Sequence, residues 1–487
     1  MMGTVSASSR KAPGVSPRAS RPLVAAEGGR LATVGDPLRA TLFLLTVVTI
    51  SRVHQHYPVL AKFRPALLLV LAAVGYVYLN PRYLTRANVL RFWPMRLVAA
   101  LGLLACCSAA FGISLGGSAL FILDSYVKTL VYVFLIALSI RHARDLFTFV
   151  WAYVMSCGVL SFFSIFVFGI TKVRNTYVTR LNNMYTYDSN DLGVVMMVGL
   201  PLTLLLLTVE RDTKKRGVLL LILVGISATM ARSGSRGGFL GFVAVAAAAL
   251  MLVNGVSAAR RLFVLAAGVV TLAFAAPPGY WIQIGTIMKP KADYNYYDRD
   301  GRKAVMERGI GYMIRYPAFG IGIANFNRAE CTISPKLATL QINGPMRCTA
   351  PHNSYVQAGA ELGIPGLLIW GSLVVGLIVA PLRLRRRLPR SWLRGTDAER
   401  FVYTATSYFA VASIGFAVTS FFVSFAWMDT VYFMAALLTG LYVAVQAQFS
   451  AADSSTLNGR SKIASSGAVA GWRVRQSAWR SRISGLS

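Results

Sequence analysis

Acidic side chains are scarce in this chain: 18 Asp and Glu stand against 50 Lys and Arg among 487 residues. Charge of either sign is thin as well, at 14% of residues, and only four histidines and five cysteines are present. Each shortage removes a class of chemistry. There is no CxxC pair, no His/Glu metal-binding motif and no Gly-rich loop ending in Lys and Ser/Thr, so zinc hydrolysis and nucleotide phosphoryl transfer find no support. Asp298 and Asp300 form an Asp-x-Asp pair of the kind that can hold a divalent cation. Without a further carboxylate or histidine clustered beside them, they read as a solvated turn.

What is abundant is apolar sequence. Hydrophobic residues make up 55% of the chain and the mean hydropathy is +0.56, values that no soluble globular domain needs. A bilayer crossing takes roughly 20 apolar residues, and about twelve stretches qualify. They lie near 38–53, 60–79, 96–114, 118–140, 146–170, 191–209, 217–232, 238–255, 261–277, 353–382, 401–423 and 426–447. The expected fold is therefore all-α and polytopic. It divides into a basic tail (1–37), nine spans (38–277), a long polar loop (278–352), three spans (353–447) and a second basic tail (448–487). Both tails are rich in Ser, Gly and Ala and read as disordered, the first lacking the compact core of a cleaved signal peptide. Trp472 and Trp479 among the arginines of the last forty residues leave a short helix on anionic lipid as the alternative.

The net charge of +32 reads as a topology signal rather than as a nucleic-acid footprint. Arginine and lysine accumulate in both tails, in 80–96, at Arg141 and Arg144, in 211–216, at Arg260 and Arg261, and in 383–400. An even number of spans with both ends in the cytoplasm puts all of these on one side. Four segments then face outward: a short one near 115–117, the 171–190 loop, the 233–238 turn and the 278–352 loop. Basic residues there are not explained by topology. Among them are Arg174, Arg180, Arg236, Arg302, Arg308 and Arg315, and outward arginines beside a membrane suit a phosphate or diphosphate, whose oxygens the guanidinium fork binds in pairs.

Three outward positions carry the sharper expectations. Arg236 sits in the Ser233-Gly234-Ser235-Arg236-Gly237-Gly238 turn, either as an anion contact or as a snorkelling interfacial side chain. Asn190-Asp191 reads first as a helix N-cap, with a substrate contact as the alternative. His352, where the long loop runs back into an apolar helix, can exchange a proton near neutral pH. Within the long loop, Arg302 opens a helical pattern of about four turns that Pro317 and Gly320 close. Cys331 and Cys348 share that loop in an oxidising compartment and are read as a disulfide, while Cys106, Cys107 and Cys157 fall inside spans.

Taken in order, the Ser235-Arg236-Gly237 turn, Arg302 followed by Pro317 and the Gly320–Phe326 run, and His352-Asn353 with Glu361 and Gly363 resemble the O-antigen ligase and polymerase superfamily, which includes bacterial O-oligosaccharyltransferases. Met306 departs from the pattern, standing where family members often carry Trp. The resemblance implies a GT-C-like fold in the bacterial inner membrane, with a periplasmic site and no metal or other cofactor. It implies transfer of a glycan from an undecaprenyl-diphosphate carrier to a glycan, lipid A-core or other hydroxyl acceptor. It assigns His352 as general base and Arg236 and Arg302 as diphosphate contacts, with Asn353, Glu361, Asn190, Arg174 and Arg180 in support. A transporter or flippase for lipid-linked sugars is the reading from another class, but two related halves are not visible in the sequence.

Overall fold

The computed structural model describes residues 35–460 apart from 87, 173–178, 183, 185, 254–256, 290–300 and 340–347. Eighteen α-helices occur among the described residues. They are α1 (Pro37–Ser51), α2 (Pro58–Lys62), α3 (Pro65–Leu79), α4 (Arg82–Arg86), α5 (Trp93–Phe111), α6 (Leu115–Phe121), α7 (Val127–Ser139), α8 (Ala143–Phe166) and α9 (Ser189–Val209). The chain continues through α10 (Thr213–Ser233), α11 (Arg236–Leu252), α12 (Ala258–Ala275), α13 (Tyr280–Gly285), α14 (Arg302–Arg315), α15 (Phe326–Thr332), α16 (Ser354–Arg387), α17 (Asp397–Thr419) and α18 (Asp429–Arg460). The sheet content among the described residues is one antiparallel pair, β1 (Ile170–Lys172) and β2 (Thr179–Leu181), in register at Thr171 and Arg180.

Each of the twelve apolar stretches coincides with a helix, and the protein is an all-α polytopic membrane protein. Among the described residues eight helices, counting α6 and α7 as one continuous element, are long and apolar enough to cross a membrane, up to nine with the bent pair of α3 and the following turn. Shorter apolar helices are α1 and α11. The core centres on α9, α17 and α18, whose apolar windows are 83% buried, against 33% for α6–α7, which therefore turn most of their surface outward to where lipid would lie.

α16 is the long helix, and it is broken. Gly363 takes φ 73° and ψ −172°, and Pro365 follows, so no continuous i→i−4 ladder can pass. The carbonyls freed at the break find partners in the Pro317–Gly322 segment of the long loop. Ile321 N donates to Ala360 O (2.9 Å), Gly322 N to Glu361 O (3.2 Å), and Ile364 N to Pro317 O (2.8 Å). A Cβ on Gly363 would sit 2.5 Å from Pro317 O, and one on Gly320 would sit 2.4 Å from the Glu361 carbonyl carbon. Two glycines thus allow a loop and a helix break to interlock.

The long loop has a small core of its own, in which Val305, Tyr312, Ile321, Phe326 and Ala329 pack together with Ala360. Buried Glu330 is its electrostatic centre. Arg308 reaches both carboxylate oxygens, with its closest contact at 2.6 Å, Lys336 lies at 3.1 Å, and Tyr312 donates at 2.8 Å. Burial alone would raise the Glu330 pKa, but these partners hold it below the ordinary 4.5. Arg308 is accordingly a structural side chain here, not part of an outward arginine cluster. Cys331 and Cys348 form a disulfide beside Glu330, with Cα atoms 5.3 Å apart.

Basic residues gather at the end of the bundle opposite His352. Arg211 pairs with Asp397 at 2.7 Å, Arg400 donates to Val209 O, and Arg385 bonds Leu252 O and Ser407.

Candidate active site at the loop-bearing end

His352 is held by its backbone. It takes φ 47°, an uncommon value for a residue with a side chain, and its N–H donates to Ser424 Oγ at 2.9 Å. The next residues are laced to the same connection between α17 and α18: Ser354 Oγ donates to Val423 O (2.8 Å) and accepts from Phe425 N (2.9 Å). The imidazole is partly buried and makes no hydrogen bond among the described residues. Burial first, and then the positive charge of Arg302 with a smaller push from Arg180, hold its pKa below the ordinary 6.5, while Asp188 opposes them. His352 is therefore a neutral imidazole near pH 7, with a vacant nitrogen lone pair.

Arg302 is the first residue of α14, as its sequence position suggests. Arg236 is the first residue of α11, after a turn in which Gly234 takes φ 60°. The turn is positioned from three sides. Ser235 Oγ caps α11 by accepting from Gly238 N (3.1 Å) and donates to Asn190 Oδ1 (3.0 Å), and the same Asn190 oxygen accepts from Arg180 Nη2 (2.8 Å). Arg236 Nη1 donates to Thr286 Oγ1 at 2.8 Å. A Cβ on Gly237 would meet Phe422 Cβ at 2.6 Å, so the start of α11 lies directly against the connection that holds His352. One end of the bundle thus carries His352, Arg302, Arg180, Asn190 and Arg236.

Several expectations change in detail. Asn190 is not the cap of α9: Asp188 is, accepting from Asn190 N (2.6 Å) and Asp191 N (2.9 Å) in a capping box with Asp191. The Asn190 side chain is thereby free to join Arg180 to Ser235. Asn353 does not orient the imidazole; its Oδ1 caps α16 through Tyr355 N (2.9 Å) and Val356 N (3.0 Å), and its amide faces Met306 Sδ. Nor does Glu361 face His352. Its buried carboxylate accepts from Ala324 N (2.8 Å), Phe326 N (3.3 Å) and Trp427 Nε1 (2.5 Å). Arg174, Lys291, Arg299, Asp298 and Asp300 lie outside the described residues. No group of three His, Cys, Asp or Glu that could hold a metal occurs among the described residues.

The structure also adds two connections at this end beyond the four outward segments, 52–57 and 423–428. They supply Arg52, His54, Ser424 and Trp427. A polar residue in a turn of only a few positions between spans, as at Ser424, was the available signal.

Glu361 invites a stability test. In Glu361→Ala the buried Phe326 amide and the Trp427 indole lose their acceptor at about 1–3 kcal/mol for each group left unsatisfied, and the part-buried Ala324 amide loses its partner as well, so thermal unfolding of the purified protein should fall by several degrees. Glu361→Gln, which keeps one oxygen, should fall between the variant and the wild type.

An all-α membrane bundle with a neutral histidine and arginines gathered at one end is the class that fold and site define. Residues 218–371, from α10 into the first half of α16, match the family model described as O-antigen ligase. That stretch contains Arg236, Arg302, His352, Glu361 and Gly363. No curated protein matches the chain. The domain implies a glycosyltransferase-like enzyme of the ligase or polymerase type, working on lipid-linked glycans and glycan acceptors in general.

Proposed function

We propose that the protein moves a glycan from an undecaprenyl-diphosphate carrier to an acceptor hydroxyl at the periplasmic face of the bacterial inner membrane, with inversion and without a metal ion. The observation that carries this reading is His352, fixed by its backbone on Ser424 at the end of the bundle where the Arg236 turn docks, with the charges of Arg302 and Arg180 lowering its pKa. The bond between the anomeric carbon and the diphosphate oxygen breaks as the bond to the acceptor oxygen forms. His352 takes the acceptor proton. Arg236 and Arg302 meet the charge that the departing diphosphate gains, and fixed cations in a partly dry site do so with little reorganisation. Asn190 and Arg180 support that side by fixing the Ser235-Arg236 turn.

Purified protein in lipid, given undecaprenyl-diphosphate glycan and candidate acceptors in EDTA, tests the reading. Turnover that survives chelation supports it, and loss of turnover on chelation overturns its metal-free part. The pH profile supplies a second check. A base must be neutral to act, so kcat/KM should be flat through neutral pH and fall only as pH drops through a value below 6.5. Ligase and polymerase share this chemistry, and we favour the ligase. In a deletion strain, long lipid-linked chains accumulate if a ligase is lost, whereas capped single-repeat glycans would indicate a lost polymerase.

A further inference from the structure

A cavity of about 370 Å3 opens between α1, α3, the start of α18 and the turn joining α6 to α7. It adjoins the His352 anchor: Ser424 lines it, and Ser424 Oγ is the acceptor for His352 N. The backbone around it is unusual in three places. Residues 122–126 form a π-helical turn, which carries Asp124 and Ser125 into the lining. Arg52 (φ 52°) and Ala324 (φ 59°) also line it, both non-glycine residues in the left-handed region. Ala324 is held there by Glu361, which accepts its N–H. Such conformations persist only where surrounding contacts over-determine them, and they concentrate at binding sites.

The lining chemistry selects a ligand class. Two cations, Arg52 and Lys128, are matched by two carboxylates, Asp124 and Asp429. His54 adds no charge near neutral pH, because burial first and then Arg52 hold its pKa below the usual value. The arginine side of His352 suits an anion; this cavity does not. Asp429 is preset, accepting from Thr129 Oγ1 at 2.5 Å with Arg52 at 3.9 Å, whereas the Asp124–Lys128 pair (3.2 Å) is solvent-accessible and can turn to a ligand at little cost. Trp427, its indole fixed on Glu361, adds an apolar wall. Charged and neutral hydrogen-bonding groups of both kinds around an aromatic wall are what a neutral polyol with an apolar ring face requires.

We propose that this cavity is a saccharide subsite that seats sugar residues of the glycan beside His352. The inference rests on the glycan-transfer reading, and the sugar could belong to the donor or to the acceptor. The test is binding of the repeat-unit oligosaccharide, released by mild acid from the surface polysaccharide of the cell that encodes the chain, to purified protein in lipid nanodiscs. Wild type and His352→Ala should bind alike. The double variant Asp124→Ala, Lys128→Ala should bind about tenfold or more weakly, as loss of charged hydrogen-bond partners does. Ser125→Trp, which fills the cavity and keeps its charges, should also lose binding while unfolding at the wild-type temperature. No binding by wild type, or unchanged binding by both variants, overturns the subsite. Transfer assays then separate the sources: a KM raised for the acceptor alone marks an acceptor subsite, and one raised for the lipid-linked donor alone marks a donor subsite. Undiminished transfer by His352→Ala would instead sink the catalytic reading, whatever the binding data show.

Discussion

Replacing His352 with Ala should cut turnover by about 10²–10⁴, the usual value of general-base help, and leave donor binding nearly unchanged. The imidazole has no hydrogen-bond partner among the described residues, so removing it breaks no internal network. The anchor to Ser424 uses the backbone N–H and survives the substitution. Because position 352 takes φ 47°, His352→Asn is the better folding control, since Asn tolerates the left-handed region more readily than Ala. Both variants should be similarly inactive. Wild-type turnover in either, measured with lipid-linked glycan and acceptor, would remove His352 from the chemistry.

Arg302→Ala should lose about 10²–10³ in kcat, comparable to removing one fixed donor from a site of developing negative charge. Arg302→Lys should recover part of this, because an ammonium keeps the charge and loses the two-pronged fork. A purely structural role at the start of α14 could also lower activity, so a second readout is needed. Arg302 is the leading charge that depresses the His352 pKa after burial itself. Removing it must let that pKa rise toward 6.5, and the acid limb of the pH profile in the residual activity should move upward. Arg302→Lys should move it little. An unmoved acid limb in Arg302→Ala would mean that the two residues do not act on one site.

The helical layout was legible because a bilayer crossing is a compositional signal, readable without knowing any contact. The start of α14 at Arg302 and the Gly234 turn before Arg236 were legible for a local reason: helix starts and left-handed turns are written in a few adjacent residues. Partnerships across distance were not. Asp188 and Asn190 can both cap a helix, and only the fold shows that Asp188 does so and that Asn190 reaches Arg180 and Ser235. Arg308 looked like another outward arginine because Glu330, which neutralises it, is far along the chain. Glu361 stood near His352 in sequence, yet the intervening helical turns aim its carboxylate at Ala324, Phe326 and Trp427. Ser424 and Trp427 escaped notice because their connection is too short to stand out between two apolar spans.

The break at Gly363 divides α16 mechanically. Beyond it, the apolar residues 364–382 run about 28 Å at 1.5 Å per residue, close to the roughly 30 Å of hydrocarbon they would cross, and the arginines from Arg383 onward emerge past it. Before it, residues 354–362 are stitched to the long loop and to the α17–α18 connection. The break at Gly363 interrupts the helical hydrogen-bond ladder between this half and residues 354–362. His352 stands upstream of that break, and its anchor is the Ser424 hydroxyl rather than the membrane-crossing shaft.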